Sequence, residues 1–333
     1  MKTVSLACLA LVLGLCTARA APAARYDPTP RIGILVPRLP ADYGLLFDAL
    51  RRSATVSDGA FDFRTGDISG IAVVLIVQPG PGEVLRSIEA TAMMHDFNIR
   101  LLLYPGTSGG HLPAGQMAPG DIVLGARNVN HGNYYLAPDG RMEAGTFKDP
   151  SSGRSYTGAF DADPALLPLL ACSASRVASR TRLPEFVAPV RADRHPQVFY
   201  YGIQGTSEIW SDNSDYTNAT MRVFHEIDED GDWYSNLAAN LMKVPFLEVS
   251  VISNSIFAFP SASHGTPEPP AGEPDSHVMA QRLSNRIVLD LIEREGPRLL
   301  SVQFEPQGAA PRTPQAYFDT PLEPRRLLDG CPP

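Results

Sequence analysis

The chain has little cysteine, little tryptophan and little charge: of 333 residues, four are Cys, two are Trp and 19% are charged. Cys8 and Cys16 fall in an N-terminal segment that reads as a removable signal. That leaves Cys172 and Cys331, which form one bridge in an oxidising compartment or remain two free thiols. Long apolar runs are also scarce. Beyond the N-terminal segment nothing reaches the roughly 18 consecutive apolar residues of a membrane-spanning helix. Positive charge is in deficit, with 28 Lys and Arg against 36 Asp and Glu and a net charge of −8, which argues against a nucleic-acid footprint. No internal repeat is present.

What is there favours a packed enzyme-sized domain. The 44% hydrophobic fraction supports a sizeable core, and 31 Pro with 27 Gly point to many ordered loops. Residues 1–20 read as a signal peptide: Lys2 supplies the positive start, Val4 to Cys16 is mostly apolar, and Ala18-Arg19-Ala20 is a cleavage site that leaves Ala21 first. Leu15 before Cys16 is not the small residue that a lipidation signal requires. The expectation is a secreted or periplasmic, soluble protein with no membrane contact after cleavage. Asn218-Ala219-Thr220 is a glycosylation sequon if the host is eukaryotic. Residues 21–30 read as a flexible leader, 31–302 as one domain and 303–333 as a Pro-rich tail.

Strand and helix patterns alternate through the domain, which predicts a single α/β unit. Arg31 to Val36 reads as a strand and Tyr43 to Arg52 as a helix. Phe61 to Gly70 reads as an edge hairpin, Ile71 to Val77 as a β-branched central strand, and Glu83 to Asp96 as an amphipathic helix. Asp163 to Ser179 is a helix capped by Asp161 or Asp163, Val198 to Gly202 a strand, and Phe246 to Ile252 another that ends at Ser253-Asn254. Ser276 to Glu295 is the longest helix, with Val278, Leu283, Ile287, Leu291 and Ile292 on one face and Asp275 or Ser276 as N-cap. Pro260 to Pro274 reads as a surface loop or lid.

The most informative stretch is Ile99 to Gly125. An apolar strand, Ile99 to Leu103, stops at Pro105-Gly106; Thr107, Ser108, Gly109 and Gly110 follow as a loop almost without side-chain bulk; then come Pro119-Gly120-Asp121 and the apolar Ile122 to Leu124. Small residues after a buried strand let a ligand approach backbone amides; a plain Gly-rich turn is the alternative. Strand, GTSGG and PGDIVLG resemble the nucleoside phosphorylase/nucleosidase superfamily, with the methylthioadenosine/S-adenosylhomocysteine nucleosidases the most similar version. The likeness runs over roughly Arg31 to Asn254. It implies a three-layer αβα domain with a mixed, partly barrel-like sheet, a nucleoside as small-molecule partner, and no cofactor or metal. Members of the family are often dimers, trimers or hexamers, which opens a homo-oligomer by analogy.

A second stretch, His225 to Asn254, crowds Glu226, Asp228, Glu229, Asp230 and Asp232 before a helix whose expected buried face is Leu237, Ala238 and Leu241. The acids read in three ways. They form a solvated, helix-capping loop, or a loose calcium site, since Leu237 stands where an EF-hand needs a bidentate acid, or a catalytic segment. The third reading follows from the resemblance, in which an acidic segment, [VI]-P-F and a strand ending [IV]-[ST]-[DN] bind the ribose hydroxyls and face purine N7. It implies Asp232, then Glu229, for the sugar and Asn254 for the departing base. Asn254 replaces an aspartate, so it offers a hydrogen bond and no full proton. Asp42, after the first strand, is the acid nearest the water-activating position and equally a helix N-cap. Thr107, Ser108, Gly109 and Gly110 orient ribose or water. Trp210 supplies an aromatic wall or is an ordinary Trp, and His131 lies on the 5′ side or is structural.

Phosphate-using relatives place Arg where this chain has Tyr104 and often where it has Ser250, so water is the expected co-substrate. The expected activity is therefore hydrolysis of a purine nucleoside at its N-glycosidic bond. The alternatives are a phosphate-dependent phosphorylase, a non-catalytic nucleoside-binding or storage-type member (plant vegetative storage proteins resemble this fold), and a secreted calcium-dependent protein.

Overall fold

A computed structural model describes residues 25–37, 44–59, 61–77, 82–148, 155–157, 159–191, 193–229, 231–259 and 265–304. The elements in chain order are β1 (Asp27–Val36), α1 (Gly44–Ala49), β2 (Arg51–Asp58), β3 (Phe61–Ile68), β4 (Ile71–Val77), α2 (Glu83–Asp96), β5 (Phe97–Gly110), β6 (Ile122–Asn130), β7 (Tyr134–Leu136), β8 (Met142–Ala144), β9 (Thr146–Lys148), β10 (Ser155–Thr157), β11 (Ala159–Asp161), α3 (Leu167–Arg180), β12 (Val198–Thr206), α4 (Ser214–Phe224), β13 (Asp228–Glu229), α5 (Trp233–Leu241), β14 (Phe246–Asn254) and α6 (Ser276–Ser301).

These elements build the mixed α/β fold expected from the sequence. The strand order is β11-β6-β12-β13-β5-β1-β4-β3-β2. β14 pairs with β5 in parallel and with β6 antiparallel, so β5, β14, β6, β12 and β13 close into a barrel-like ring from which the β1-β4-β3-β2 wing extends. The central strands are parallel and buried on both faces, which is why they read as continuous apolar runs. Ile32 aligns with Val73 on one side and Leu101 on the other, and all three are fully buried.

Helices cover both faces. α6, α3 and α1 pack on one core with Leu283, Ile287, Leu291 and Leu170 buried against Leu101, Leu103, Val249 and Val251. Full burial of a side chain of this size stabilises by about 1.5–3 kcal/mol. Gly296 lets α6 approach β4, since a Cβ there would lie 2.3 Å from Ile71 Cγ1. α2 covers the other face with Ala90, Met93 and Met94 beside Phe97, Tyr104 and Phe246.

Several local expectations are corrected. The GTSGG segment is not a loop: β5 runs to Gly110 because β14 pairs with residues as far as Gly109 and β13 with Gly109 and Gly110. These neighbours offset the weak strand preference of Gly and Pro. α1 ends at Ala49, and the chain turns at once into β2, which extends the hairpin to three strands with β3 and β4. α3 starts later than expected, with Leu166 as N-cap and Pro168 in the first turn; Asp163 instead accepts from Ala165 N. α4, capped by Asn213, was not legible in the pattern. In α5 the buried residues are Trp233, Ser235, Asn236, Ala239 and Asn240, while Leu241 is exposed, because the helix turns its polar side to the barrel. Cys172 in α3 is disulfide-bonded; Cys331, the expected partner, lies outside the described residues. So do residues 1–24, most of the expected lid start, and the tail from residue 305. Among the described residues no helix is long and apolar enough to cross a membrane.

Candidate active site

Three strand ends meet at one point. Gly109 of β5 lies opposite Glu229 of β13 and beside Asn254 at the end of β14. A Cβ on Gly109 would sit 2.8 Å from Glu229 Oε1 and 3.4 Å from Asn254 Nδ2, so only glycine leaves room for both side chains. The carboxyl ends of parallel strands are where α/β sheets bind ligands. Thr107, Glu229 and Asn254 are half-buried and form the mouth, whereas Ser108 is buried beneath them.

The polar groups are oriented by their neighbours. Ser253 Oγ donates to Asn254 Oδ1 at 2.9 Å, which turns the amide so that Nδ2 faces Gly109. The site therefore presents a carboxylate acceptor and an amide donor side by side. Behind Glu229 lies His111, whose Nε2 is 3.4 Å from Glu229 Oε2 and whose Nδ1 is 3.6 Å from Glu226 Oε1. His131 Nδ1 is 4.0 Å from the same Glu226 oxygen. Burial lowers the pKa of both imidazoles, but Glu226 and Glu229 more than offset this at His111, whose pKa is raised to about 9, while His131 stays below its ordinary value. Burial pushes Asp228 up to about 8.

Asp232, the first choice for ribose contact, is placed elsewhere. It is fully buried as the N-cap of α5, accepts from Ser235 N at 3.0 Å, and shares a buried field with Arg86 and Glu83 of α2. A helix start needs an acceptor there, and capping turns the carboxylate away from Gly109. Asp232 N donates to Glu248, which is fully enclosed and held well above the usual carboxylate range by burial. Arg86 is ion-paired with Glu83 at 2.5 Å and its guanidinium lies 4.7 Å over the Tyr104 ring. Trp210 is 87% exposed, in a loop pinned when Glu208 accepts from Glu83 N and Val84 N at the start of α2. Asp42 lies outside the described residues. His111 and Glu226 were not singled out for the site from sequence; the available signal was a His directly after GTSGG and an acid two residues before Asp228.

A family model described as the phosphorylase superfamily matches residues 37–185. This match supports a relation to the nucleoside phosphorylase/nucleosidase superfamily over that segment. A 5′-methylthioadenosine/S-adenosylhomocysteine nucleosidase from Pseudoalteromonas translucida is 30% identical over 87 residues, 26% of this chain and 36% of that protein. The chain thus spans about a third of that curated relative in the match. Among solved structures, the corresponding nucleosidase from S. pneumoniae, with a transition-state inhibitor, has a TM-score of 0.54 at 18% identity, covering 79% of this chain and 98% of that one. Futalosine hydrolase of Helicobacter pylori has a TM-score of 0.56 at 14% identity, covering 79% and 97%. Both structures share their fold with this chain.

The buried titratable groups give one stability prediction. The folded state holds protons on Asp228 and Glu89, each raised to about 8, and on His111, raised to about 9. Between pH 6.5 and 9 the unfolded chain holds no carboxyl protons and progressively loses that of His111, so the native state binds more protons and stability falls as pH rises. Thermal unfolding is expected to show a Tm several degrees higher at pH 6.5 than at pH 9. A flat profile would mean that these groups are not enclosed in the folded protein.

Proposed function

We propose that the chain is an N-glycosidase that hydrolyses purine nucleosides. The observation that carries this reading is the meeting of the Glu229 carboxylate, the Asn254 amide donor and the bare Gly109 backbone at one strand-end mouth. As the glycosidic bond lengthens, positive charge develops on the sugar and negative charge on the base. Glu229 accepts from the sugar hydroxyls and stabilises the first; the Asn254 amide donates to the base and stabilises the second. Thr107, at the mouth, orients the sugar. Activation of water is assigned to Asp42 from sequence alone.

Water is favoured over phosphate by charge. The positions where a phosphate site would place cations hold Tyr104 and Ser250. The guanidinium that stacks on Tyr104 is ion-paired with Glu83 and stands among Glu89 and Asp232. An acidic surround of this kind opposes a phosphate dianion. The similar proteins, nucleosidases and a futalosine hydrolase, support the same side.

Incubation with adenosine, inosine and 5′-methylthioadenosine is expected to release free base at equal rates with and without phosphate. Release only with phosphate would establish a phosphorylase; tight binding without release would establish a binding protein. Export belongs to the same proposal, and the secreted product is expected to start at Ala21 on N-terminal sequencing.

A further inference from the structure

The His111–Glu226 pair has no assigned role, yet it occupies the floor of the mouth. His111 directly follows β5 and its amide donates to Ile227 O at 2.9 Å, which fastens it to the residue between Glu226 and Asp228. The His111 side chain is 4% exposed and Glu226 is fully buried. Neither Glu226 oxygen has a hydrogen-bond partner among the described residues, nor does His131 Nδ1. A fully buried carboxylate left in this state costs several kcal/mol unless a neighbouring charge compensates it.

We propose that His111 is the positioning residue of the Glu229 carboxylate, anchored from behind by Glu226. The inference rests on the hydrolase reading of the same mouth. The geometry sets the protonation. The two ring nitrogens face two different carboxylates, at 3.4 and 3.6 Å, and a neutral imidazole carries only one N–H. An imidazolium forms an ion pair with each carboxylate at these distances, and the raised pKa of about 9 agrees with that state. Among the described residues, the other ionisable groups near the trio are Asp228 on β13, His131 after β6, whose ring lies 6.3 Å from that of His111, and Tyr216 on α4, next to His131. With His131 neutral by burial and Asp228 protonated below about pH 8, the trio Glu226–His111–Glu229 retains one net negative charge. That charge is what a cationic sugar transition state requires. The imidazolium aims the Glu229 carboxylate at Gly109; Glu226 prevents the imidazolium from cancelling the whole charge.

The arrangement separates two effects in one variant. His111→Gln keeps size and one donor but removes the positive charge. Loss of the neighbouring cation removes the charge that pairs with the Glu229 carboxylate. In the wild type and in His111→Gln, kcat and KM for adenosine or inosine, whichever is cleaved faster, are measured from pH 5 to 9 without phosphate. The expected result is a fall of at least about tenfold in kcat with a smaller change in KM, and an acidic limb of kcat/KM moved up by about one pH unit. Unchanged kcat and an unchanged limb would overturn the proposal. Glu226→Gln, isosteric, replaces His111→Gln should that variant not fold; it is expected to lower the pH at which kcat/KM declines on the alkaline side, and no change there would also overturn the proposal. A second readout does not depend on turnover. The His111 ring, followed by NMR, is expected to titrate near pH 9 in the wild type and about one unit lower in Glu229→Gln. A wild type that cleaves no nucleoside but shows this shift would refute the hydrolase reading and keep the pairing; no shift would refute the pairing itself.

Discussion

Glu229→Gln is expected to lower kcat/KM for nucleoside cleavage by about 100- to 1,000-fold without loss of fold. Glu229 is the carboxylate that reaches Gly109, and its side chain is 14% exposed at the mouth. The substitution keeps the shape and removes the negative charge that, on the proposed reading, faces the developing sugar cation. The effect should therefore fall on kcat more than on KM, because the charge matters most where the sugar is most positive. A circular dichroism spectrum and Tm like those of the wild type would show that the fold is kept. Asp232→Asn is the informative companion. Asp232 caps α5 and faces Arg86 and Glu83 rather than Gly109, so its loss should register in stability first. If Asp232→Asn abolished cleavage while Glu229→Gln left it intact, the assignment of the sugar-binding carboxylate would be reversed.

Asp121→Ala is expected to destabilise the protein by about 3–5 kcal/mol, lowering Tm by roughly 5–10 °C. Asp121 is fully buried at the start of β6, where it accepts from Ala118 N at 2.9 Å and Gln197 N at 2.8 Å and is ion-paired with Arg191. Alanine would leave the enclosed amides and a guanidinium without their acceptor. The same residue ties two strands of the ring. Ile252 N donates to Asp121 O at 2.8 Å and Gly120 N to Ile252 O at 2.7 Å, two residues before Asn254. The Asn254 amide is thus held by the turn that carries Asp121, and on the proposed reading the variant should lose activity in step with stability. Asp121→Asn keeps an acceptor and should retain a good part of both. Equal unfolding midpoints in urea for wild type and Asp121→Ala would remove Asp121 from this role.

Local signals were read from sequence where one short-range rule governed the element. Glu83 to Asp96 is a helix with the expected ends, because its apolar spacing is bounded by Gly82 and by the extended residue Phe97. Ile71 to Val77 is a strand because its β-branched run fits a sheet buried on both faces. α6 begins where Asp275 accepts from Val278 N, as its cap pattern indicated, but it runs past Glu295 through Gly296 and Pro297, since packing on β4 sustains it. The strand-to-GDIV order was likewise legible and pointed to the superfamily whose family model matches residues 37–185.

The site depended on long-range pairing. GTSGG read as a loop because Gly and Pro disfavour strands, yet β14 and β13 hold it extended. Glu229 and Asp232 stand three positions apart in one acidic run, and composition treats them alike. Strand pairing brings the first to Gly109, whereas helix capping turns the second toward α2. The sequence by itself therefore determined many of the elements, their order and the two segments that build the mouth. The tertiary structure decided which acid faces it and that His111 and Glu226 lie beneath it. The reason is range: periodicity and capping act over one or two turns of chain, while the closing of the ring joins residues that no local pattern connects.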